Sequence, residues 1–233
     1  AIDQIAEPVL FVRVKLTQAP DPARDRPAIA EVSVDVNGDV VRAQLAGHDP
    51  REAIDLLQRR LRSRLEHRAE RQEAVRQRPA SSGVGKWRHG DPPTHRPEHF
   101  DRPVDERELV RRSTYTDAPM TPDEAAFDLE QLDVDFYLFR ELATGEDALI
   151  ERDDGKGYRL TRLGGSTADP GPTAVRLTVV GNGVPVLTVD EARERLDAGG
   201  ERLVLFADAA TGRANVLYLR YDGHYGLVAP AAG

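Results

Sequence analysis

The sequence predicts a mixed α/β chain of the α+β class, in which a small sheet with one long helix precedes two tandem α+β modules. Three observations support this prediction. The front of the chain alternates apolar with polar side chains around a hairpin signal. A long helical segment with a clear start follows it. The rear half then repeats itself at a spacing of 67 residues.

Three predicted strands form the front sheet. Residues 9–17 alternate apolar and polar side chains with period two, which is typical of a half-buried strand. Residues 29–36 and 40–45 are the second and third strands. Asn37-Gly38 between them is a strong signal for a type I′ hairpin turn.

A long helix is predicted from about residue 50 to residue 77. Asp49 is a suitable N-cap, Pro50 suits the first helical position, and Glu52 can complete a capping box. Four apolar residues spaced along one side of this helix are expected to pack on the sheet. They are Ile54, Leu57, Leu61 and Leu65.

The flank of the same helix carries a basic stripe, which consists of Arg60, Arg64, His67, Arg68 and Arg71. Three further cations are expected beside it on the sheet, namely Arg13, Lys15 and Arg42. Guanidinium groups bind phosphate bidentately, and no aromatic platform accompanies them, so the pattern predicts binding to the backbone of structured RNA. The alternative is an exposed helix whose charges have no function.

The rear half consists of two copies of one sequence pattern. The segment Met120-Thr121-Pro122-Asp123-Glu124-Ala125 corresponds to Leu187-Thr188-Val189-Asp190-Glu191-Ala192. Each copy begins a helix with a Thr-x-x-Glu capping box and continues with two or three strands. A further strand precedes each helix, at residues 108–115 and 174–180. Units of under about 60 residues are marginally stable alone, so the two modules are expected to pair within the chain.

Aromatic residues of the two modules are expected in the core or at the surface where the modules pair. The candidates for pairing are Phe136, Phe139, Phe206 and Tyr218. The predicted domains are 1–78 with the sheet and long helix, a flexible linker at 79–104, module 1 at 105–162, a short linker at 163–172, and module 2 at 173–233.

Charge is distributed unevenly along the chain. Residues 1–78 carry 14 Lys+Arg against 13 Asp+Glu, whereas residues 119–233 carry 11 Lys+Arg against 20 Asp+Glu. A polyanion would therefore engage the front of the chain, and the rear requires a different partner. The absence of cysteine, of a signal peptide and of any long apolar run favours a cytoplasmic protein.

The sequence offers no convincing catalytic, cofactor or metal site. Gly85-Lys86 fails the P-loop pattern because Ala80 replaces the first glycine and Trp87 replaces the serine or threonine. His89, His95 and His99 lie in a proline-rich segment without cysteines. We therefore predict a binding protein without cofactor or metal, rather than an enzyme.

The rear motifs resemble the C-terminal domain of long-form hibernation promoting factors, the S30AE or sigma-54 modulation family. The resemblance rests on Leu109-Val110-Arg111-Arg112-Ser113-Thr114-Tyr115, on Asp135-Phe136-Tyr137-Leu138-Phe139-Arg140, and on the ending Val216-Leu217-Tyr218-Leu219-Arg220-Tyr221. The front, with Asn37-Gly38 and the basic helix, is similar to the ribosome-binding domain of that family. The family's domain begins with another strand and helix, which we expect to be truncated here.

The resemblance implies a ribosome hibernation factor. Its N-terminal domain would bind 16S rRNA in the decoding region of the 30S subunit and block mRNA and tRNA on an idle 70S ribosome under stress, hypoxia or dormancy. The family's helix positions assign RNA contact to Arg60, Arg64 and Arg68. Ordinary members have one C-terminal domain, and mycobacterial members that act in dormancy have two. The acidic rear is expected to contact basic ribosomal proteins near the platform.

Two other functions remain open at this stage. One is a regulatory protein-interaction module that modulates a sigma factor, and the other is an RNA-binding protein that acts away from the ribosome. Co-sedimentation with 70S ribosomes distinguishes the hibernation factor from both.

Overall fold

A computed structural model of the chain describes residues 7–19, 23–76, 96–115, 117–153 and 157–231. The chain divides into two compact units. The first contains residues 1–98 together with residues 128–134, and the second contains residues 99–127 and 135–233. The predictions for Trp87, His89 and His95 lie outside the described residues.

The first unit contains an antiparallel sheet of three strands in the order β1-β2-β3. The strands are β1 (Val9–Gln18), β2 (Ala28–Val36) and β3 (Asp39–Gly47). Asn37 and Gly38 connect β2 to β3 with φ angles of 57° and 97°. Two successive left-handed residues are what a type I′ turn requires, and asparagine and glycine adopt this conformation at little cost.

Helix α1 (Pro50–Arg76) follows the sheet and packs against β2 and β3. Its first turn is capped from both sides. The amide of Glu52 donates to Oδ1 of Asp49 at 2.9 Å, and the amide of His48 donates to Oε2 of Glu52 at 2.7 Å. The core beneath α1 is made of small and branched residues from both strands, including Val32, Val34, Val41, Ala43 and Leu45, with Leu57 and Leu61 from the helix.

The orientation of α1 about its own axis differs from the prediction. Ile54, assigned to the packed face, is 43% exposed, whereas Arg64 and Arg68 are only 6% and 4% exposed. The face that packs on the sheet is therefore turned toward the basic flank. The spacing of apolar residues does not predict this orientation of α1, because a helical wheel weighted by hydrophobicity places every arginine on the solvent side.

Strand β1 is not covered by α1, although its sequence alternates as a half-buried strand would. The residues facing the helix side of the sheet remain exposed, with Val12 at 42%, Val14 at 58% and Leu16 at 50%. Val14 and Leu16 lie in register with Val32 and Ala30, which are buried because α1 covers β2. Helix α1 therefore covers the apolar face of β2 and β3, whereas most of the same face of β1 is exposed.

The second unit contains two mixed sheets of five strands each. The elements of module 1 are β4 (Leu109–Tyr115), β5 (Pro119–Met120), α2 (Pro122–Gln131), β6 (Phe136–Glu141), β7 (Asp147–Arg152) and β8 (Tyr158–Arg162). Those of module 2 are β9 (Leu177–Val180), β10 (Val186–Leu187), α3 (Val189–Gly199), β11 (Leu203–Asp208), β12 (Ala214–Leu219) and β13 (Tyr225–Pro230). From β5 and β10 onward, equivalent elements begin 67 residues apart.

The two modules exchange their first strands. The sheet of module 1 has the order β5-β6-β7-β8-β9, and the sheet of module 2 has the order β10-β11-β12-β13-β4. Thus β4 pairs in parallel with β13, and β9 pairs in parallel with β8. Neither sheet is complete without the other module, so residues 99–127 and 135–233 form one folding unit.

Both module helices begin as the sequence predicts. In α3, the side chain of Thr188 accepts from the amide of Glu191, and Glu191 accepts from the amide of Thr188. In α2, the amide and hydroxyl of Thr121 donate to Oε2 of Glu124 at 2.8 and 2.9 Å. Each pair satisfies amides that have no partner within the helix.

Within the described ranges, three α-helices and a short 3-10 helix (Val104–Glu106) accompany three sheets, which confirms the predicted α+β class. Among the described residues, no helix is both long and apolar enough to cross a lipid bilayer.

Candidate nucleic-acid interface

Two arginines of the predicted basic stripe converge on one carboxylate within the first unit. Arg60 and Arg64 lie one turn apart on α1, and their terminal nitrogens approach Oδ1 of Asp133 at 3.5 and 2.5 Å. Arg96 approaches the same oxygen at 3.3 Å and also donates to the backbone carbonyl of Asp133 at 3.0 Å. The geometry forms a compact anion-binding position lined by three guanidinium groups, which we call the arginine cradle.

The carboxylate in the arginine cradle is held firmly. Asp133 has a φ angle of 53°, a left-handed conformation that aspartate and asparagine tolerate better than most residues. Its Oδ2 also accepts a hydrogen bond from the backbone amide of Gln44 on the edge strand β3, at 3.1 Å. Only 4% of the Asp133 side chain is exposed. Guanidinium groups at this spacing bind carboxylate and phosphate oxygens in the same way.

Arg68, the third residue assigned to RNA contact, has a structural role. Its guanidinium donates to Glu7, to the carbonyl oxygen of Val36 at 3.1 Å and to Oδ2 of Asp39 at 2.9 Å. Burial alone would lower the pKa of Arg68, but the hydrogen bonds to Glu7 and Asp39 raise it above the ordinary value. Removal of Arg68 would leave the buried carbonyl oxygen of Val36 without this donor, so Arg68 contributes to the fold.

The cations of the sheet do not lie beside the stripe. Arg13 and Arg42 both pair in register with Ser33, and Lys15 pairs with Glu31. Ser33, Glu31 and Arg42 alternate along β2 and β3 with the buried residues of the core beneath α1. The three cations therefore point to the opposite face of the sheet, together with their partners in register. The expectation of a single continuous surface is corrected accordingly. The sheet face carries a separate basic group, of which Lys15 is partly neutralised by Glu31 at 3.8 Å.

The remaining residues of the stripe differ in exposure. His67 and Arg71 are half-buried on α1, toward its C-terminal half. Arg59 and Arg62, which are not part of the basic stripe, are exposed on the same helix. Their exposure could have been inferred from the correct orientation of the helix, but not from the stripe of charges alone.

The aromatic residues proposed for module pairing fall into two groups. Phe136 and Tyr218 contact each other across the modules, with ring centroids 5.1 Å apart and an interplanar angle of 67°. Phe206 instead packs beneath α3 with Ala192 and Leu196, inside module 2. Phe139 occupies the equivalent position of module 1 and is fully buried. Phe206 and Phe139 thus lie on the strand face turned away from the surface where the modules meet.

A mixed apolar cluster joins the two modules, and we call it the junction. It contains Leu138 and Leu149 of module 1 together with their equivalents Leu205 and Val216 of module 2. Phe136, Leu203 and Val228 pack around it, and Tyr115 of the exchanged strand β4 is also part of it. Side chains from β6, β7, β11 and β12 therefore form one continuous core.

The described part of the chain contains no group of three or more His, Asp and Glu side chains placed to hold a metal ion. His99, which is described, lies with Nδ1 at 3.3 Å from the carbonyl oxygen of Arg220.

Comparison with known proteins finds a family model that matches both repeated modules. The model, described as "Sigma 54 modulation/S30EA ribosomal protein C terminus", matches residues 104–160 and again residues 183–227. The two matches coincide with the duplication inferred from the sequence, and the rear motifs are similar to this C-terminal domain, as expected from the resemblance.

Curated relatives resemble a larger part of the chain. The "Dormancy associated translation inhibitor" of Mycobacterium tuberculosis, from strains CDC 1551 and H37Rv, is 38% identical over 130 residues. The match covers 52% of this chain and 47% of each relative, so the chain spans about half the length of the curated relatives it matches.

Proposed function

We propose that this chain is a ribosome hibernation factor that binds the small subunit and inhibits translation. The observation that carries the proposal is the tandem pair of modules that match the S30EA C-terminal model, combined with similarity to a protein named as a translation inhibitor. No bond is made or broken in this function. Inhibition is steric, because a protein lodged in the decoding region of the 30S subunit excludes mRNA and tRNA.

The arginine cradle supports a contact to 16S rRNA. Two guanidinium groups of α1 already share one carboxylate oxygen, and an RNA phosphate offers oxygens of the same charge and spacing. In this proposal a phosphate replaces the Asp133 carboxylate when the chain binds. Arg60 and Arg64 are the principal RNA contacts. Arg68 holds α1 against the sheet through its bonds to Val36 and Asp39.

The acidic second unit requires a partner other than RNA. Residues 119–233 carry 20 acidic against 11 basic side chains, which disfavours a polyanion and suits basic ribosomal proteins near the platform. Because the strands exchanged by the two modules are paired within one chain, we propose that this protein holds single 70S particles rather than joining two ribosomes.

The test is co-sedimentation with 70S ribosomes over a series of salt concentrations. The double variant Arg60→Ala/Arg64→Ala is expected to bind more weakly and to lower the slope of log K against log salt by about 2 units, one for each phosphate contact. The matched control is Arg59→Ala/Arg62→Ala, which removes the same charge from exposed positions of the same helix. Equal losses in both variants would show that only net charge matters, and would remove the cradle from the binding surface.

A second variant examines the same site from the opposite direction. Asp133→Asn keeps the left-handed backbone favourable but removes the charge that competes with phosphate. We expect Asp133→Asn to bind ribosomes more tightly than the unmodified chain. Weaker binding would indicate that the Asp133 carboxylate organises the arginines for RNA instead of competing with it.

A further inference from the structure

The two modules exchange one strand each, and this exchange is reciprocal. Strand β4 of module 1 completes the sheet of module 2, and β9 of module 2 completes the sheet of module 1. Four apolar residues at the centre of the junction follow the same reciprocity, since Leu138 and Leu149 share one cluster with their own equivalents, Leu205 and Val216. This part of the junction would suit two identical modules as well as two different ones.

The polar part of the junction does not follow this reciprocity. Arg213 of module 2 holds Asp147 of module 1 through two hydrogen bonds, from Nε at 2.8 Å and from a terminal nitrogen at 2.9 Å. The same terminal nitrogen donates to Oδ1 of Asp117 at 2.6 Å. Asp147 also accepts from the backbone amide of Ala214 at 2.9 Å.

The counterpart of each of these groups is chemically different. Glu146 occupies the position equivalent to Arg213, Ala214 that equivalent to Asp147, and Val184 that equivalent to Asp117. The positions reciprocal to Asp147 and Asp117 thus hold an alanine and a valine, which offer Glu146 no cation. Glu146 instead accepts from the amide of Gly164, inside module 1, at 2.9 Å.

We propose that this asymmetry makes the modules selective for each other, so that a second copy of the chain is rejected as a partner. If module 1 met module 1 of another chain in this geometry, Glu146 would face Asp147 and Asp117 twice. If module 2 met another module 2, Arg213 would twice face an alanine and a valine. Asp117 also has a cation within module 1, since Arg140 approaches its Oδ2 at 3.3 Å. Of the two possible partners, only module 2 places a cation, Arg213, against Asp147.

Burial gives this selection its strength. Only 4% of the Asp147 side chain is exposed, compared with 34% of Arg213. A carboxylate withdrawn from water needs a cation or several donors, and a second carboxylate beside it is strongly unfavourable. The apolar residues of the junction thus supply attraction for either kind of pairing, while Arg213 and Glu146 determine which kind forms. This inference does not depend on ribosome binding.

The test transposes the two residues that differ. In the full chain, Glu146→Arg/Arg213→Glu places an acid against Asp147 within the chain. Between the first modules of two chains, the same variant creates two ion pairs, each joining the arginine introduced at position 146 to Asp147 of the other copy. The control Arg213→Glu breaks the same internal pair and leaves Glu146 to repel a second chain. Light scattering and sedimentation velocity over a concentration series measure self-association of both variants and of the unmodified 25.7 kDa chain.

We expect the unmodified chain to remain monomeric and the transposed variant to dimerise at least about tenfold more tightly than Arg213→Glu. Adding Asp147→Asn to the transposed variant should abolish this gain, because the new cation then has no acid to bind. Equal dimerisation of the two variants, or a gain that survives Asp147→Asn, would overturn the proposal.

Far-UV circular dichroism and cooperative thermal unfolding establish that each variant is folded. If the transposed variant does not fold, the proposal is tested by a double-mutant cycle in the full chain. The unfolding midpoint is measured for Arg213→Gln, for Asp147→Asn and for both together. Additive changes in the unfolding midpoint would refute the proposal, because selectivity requires that these two side chains interact. A double variant closer to the unmodified chain than the sum of the single changes would support it.

Discussion

Modules 1 and 2 have the same architecture but treat one buried polar position differently. In module 1, Arg162 and Glu141 form a bidentate ion pair in which both side chains are fully buried. In module 2, the equivalent positions hold Ala229 and Asp208. Asp208 turns to its own backbone and accepts from the amides of Ala210 and Thr211 at 3.0 and 2.9 Å.

The comparison shows that apolar positions of a duplicated module are retained for packing, whereas polar positions can take new roles. The ion pair of module 1 has further partners. Thr144 donates to Glu141 at 2.7 Å, as the equivalent Thr211 donates to Asp208 at 3.2 Å in module 2.

Arg162 of this ion pair also donates to the carbonyl oxygens of Ser166 and Ala168 at 2.9 and 2.7 Å. Through these bonds Arg162 fixes the segment that leads from module 1 to module 2. The equivalent position of module 2, Ala229, cannot form such bonds.

The largest expected effect comes from breaking this pair. Arg162→Ala leaves the buried carboxylate of Glu141 without its cation and removes the donor from two backbone carbonyls. It should reduce the free energy of unfolding by about 3–5 kcal/mol. Urea denaturation followed by circular dichroism measures the change. Arg159→Ala is the control, since Arg159 lies on the same strand but is exposed, and its replacement should change stability by less than about 0.5 kcal/mol.

A second variant separates the charge from the volume of the pair. Glu141→Leu/Arg162→Leu removes both charges and fills the space with apolar atoms, so it should recover much of the stability that Arg162→Ala loses. If the double variant is as unstable as Arg162→Ala, the bonds to Ser166 and Ala168 are the more important contribution.

The sequence predicts features that depend on local chemistry more reliably than features that depend on tertiary packing. The Asn37-Gly38 turn and the two Thr-x-x-Glu caps follow from backbone preferences and were found where expected. The orientation of α1 was not predicted, because Arg68 is buried by Glu7 and Asp39 from distant parts of the chain. The exchange of β4 and β9 also depends on tertiary contacts, since pattern identifies a strand but not its neighbour.

The candidate site illustrates the same limit. Charge segregation on α1 pointed to Arg60 and Arg64, which the structure brings together. It could not reveal that Asp133 lies between them, because that residue is remote in sequence. It also misplaced Arg13 and Arg42, whose side of the sheet is determined by the register with Ser33.

Acid should destabilise the second unit through carboxylates that carry ion pairs. Burial alone would raise the pKa of Glu141, but hydrogen bonds from Arg162 and Thr144 lower it below its ordinary value. Burial would likewise raise the pKa of Asp147, which Arg213 and the amide of Ala214 lower. The folded state therefore binds fewer protons than the unfolded state. This stabilisation is present above the unfolded pKa values and is lost as pH falls through the folded ones.

The measurement is the free energy of unfolding between pH 7 and pH 3. We expect little change down to about pH 5 and then a fall of at most about 1.4 kcal/mol per pH unit for each such carboxyl. Asp147→Asn should start from a lower stability at pH 7 and show a shallower fall. Glu194→Gln makes the same change in charge at an exposed position of α3, and its profile should follow that of the unmodified chain. Parallel profiles for Asp147→Asn and the unmodified chain would contradict the assignment.

The smallest expected effect concerns the aromatic pair at the junction, where the modules again differ. Phe136 meets Tyr218 edge to face, whereas the reciprocal positions hold Leu203 and Glu151. Edge-to-face pairs contribute about 0.5–1.5 kcal/mol beyond the area they bury. A double-mutant cycle with Phe136→Leu, Tyr218→Leu and both together isolates this interaction, since Phe136→Leu installs the residue found at the equivalent position of module 2. We expect a coupling free energy of about 1 kcal/mol in urea denaturation. A coupling near zero would mean that the two rings contribute only through buried area, and that selectivity at the junction is due to charge alone.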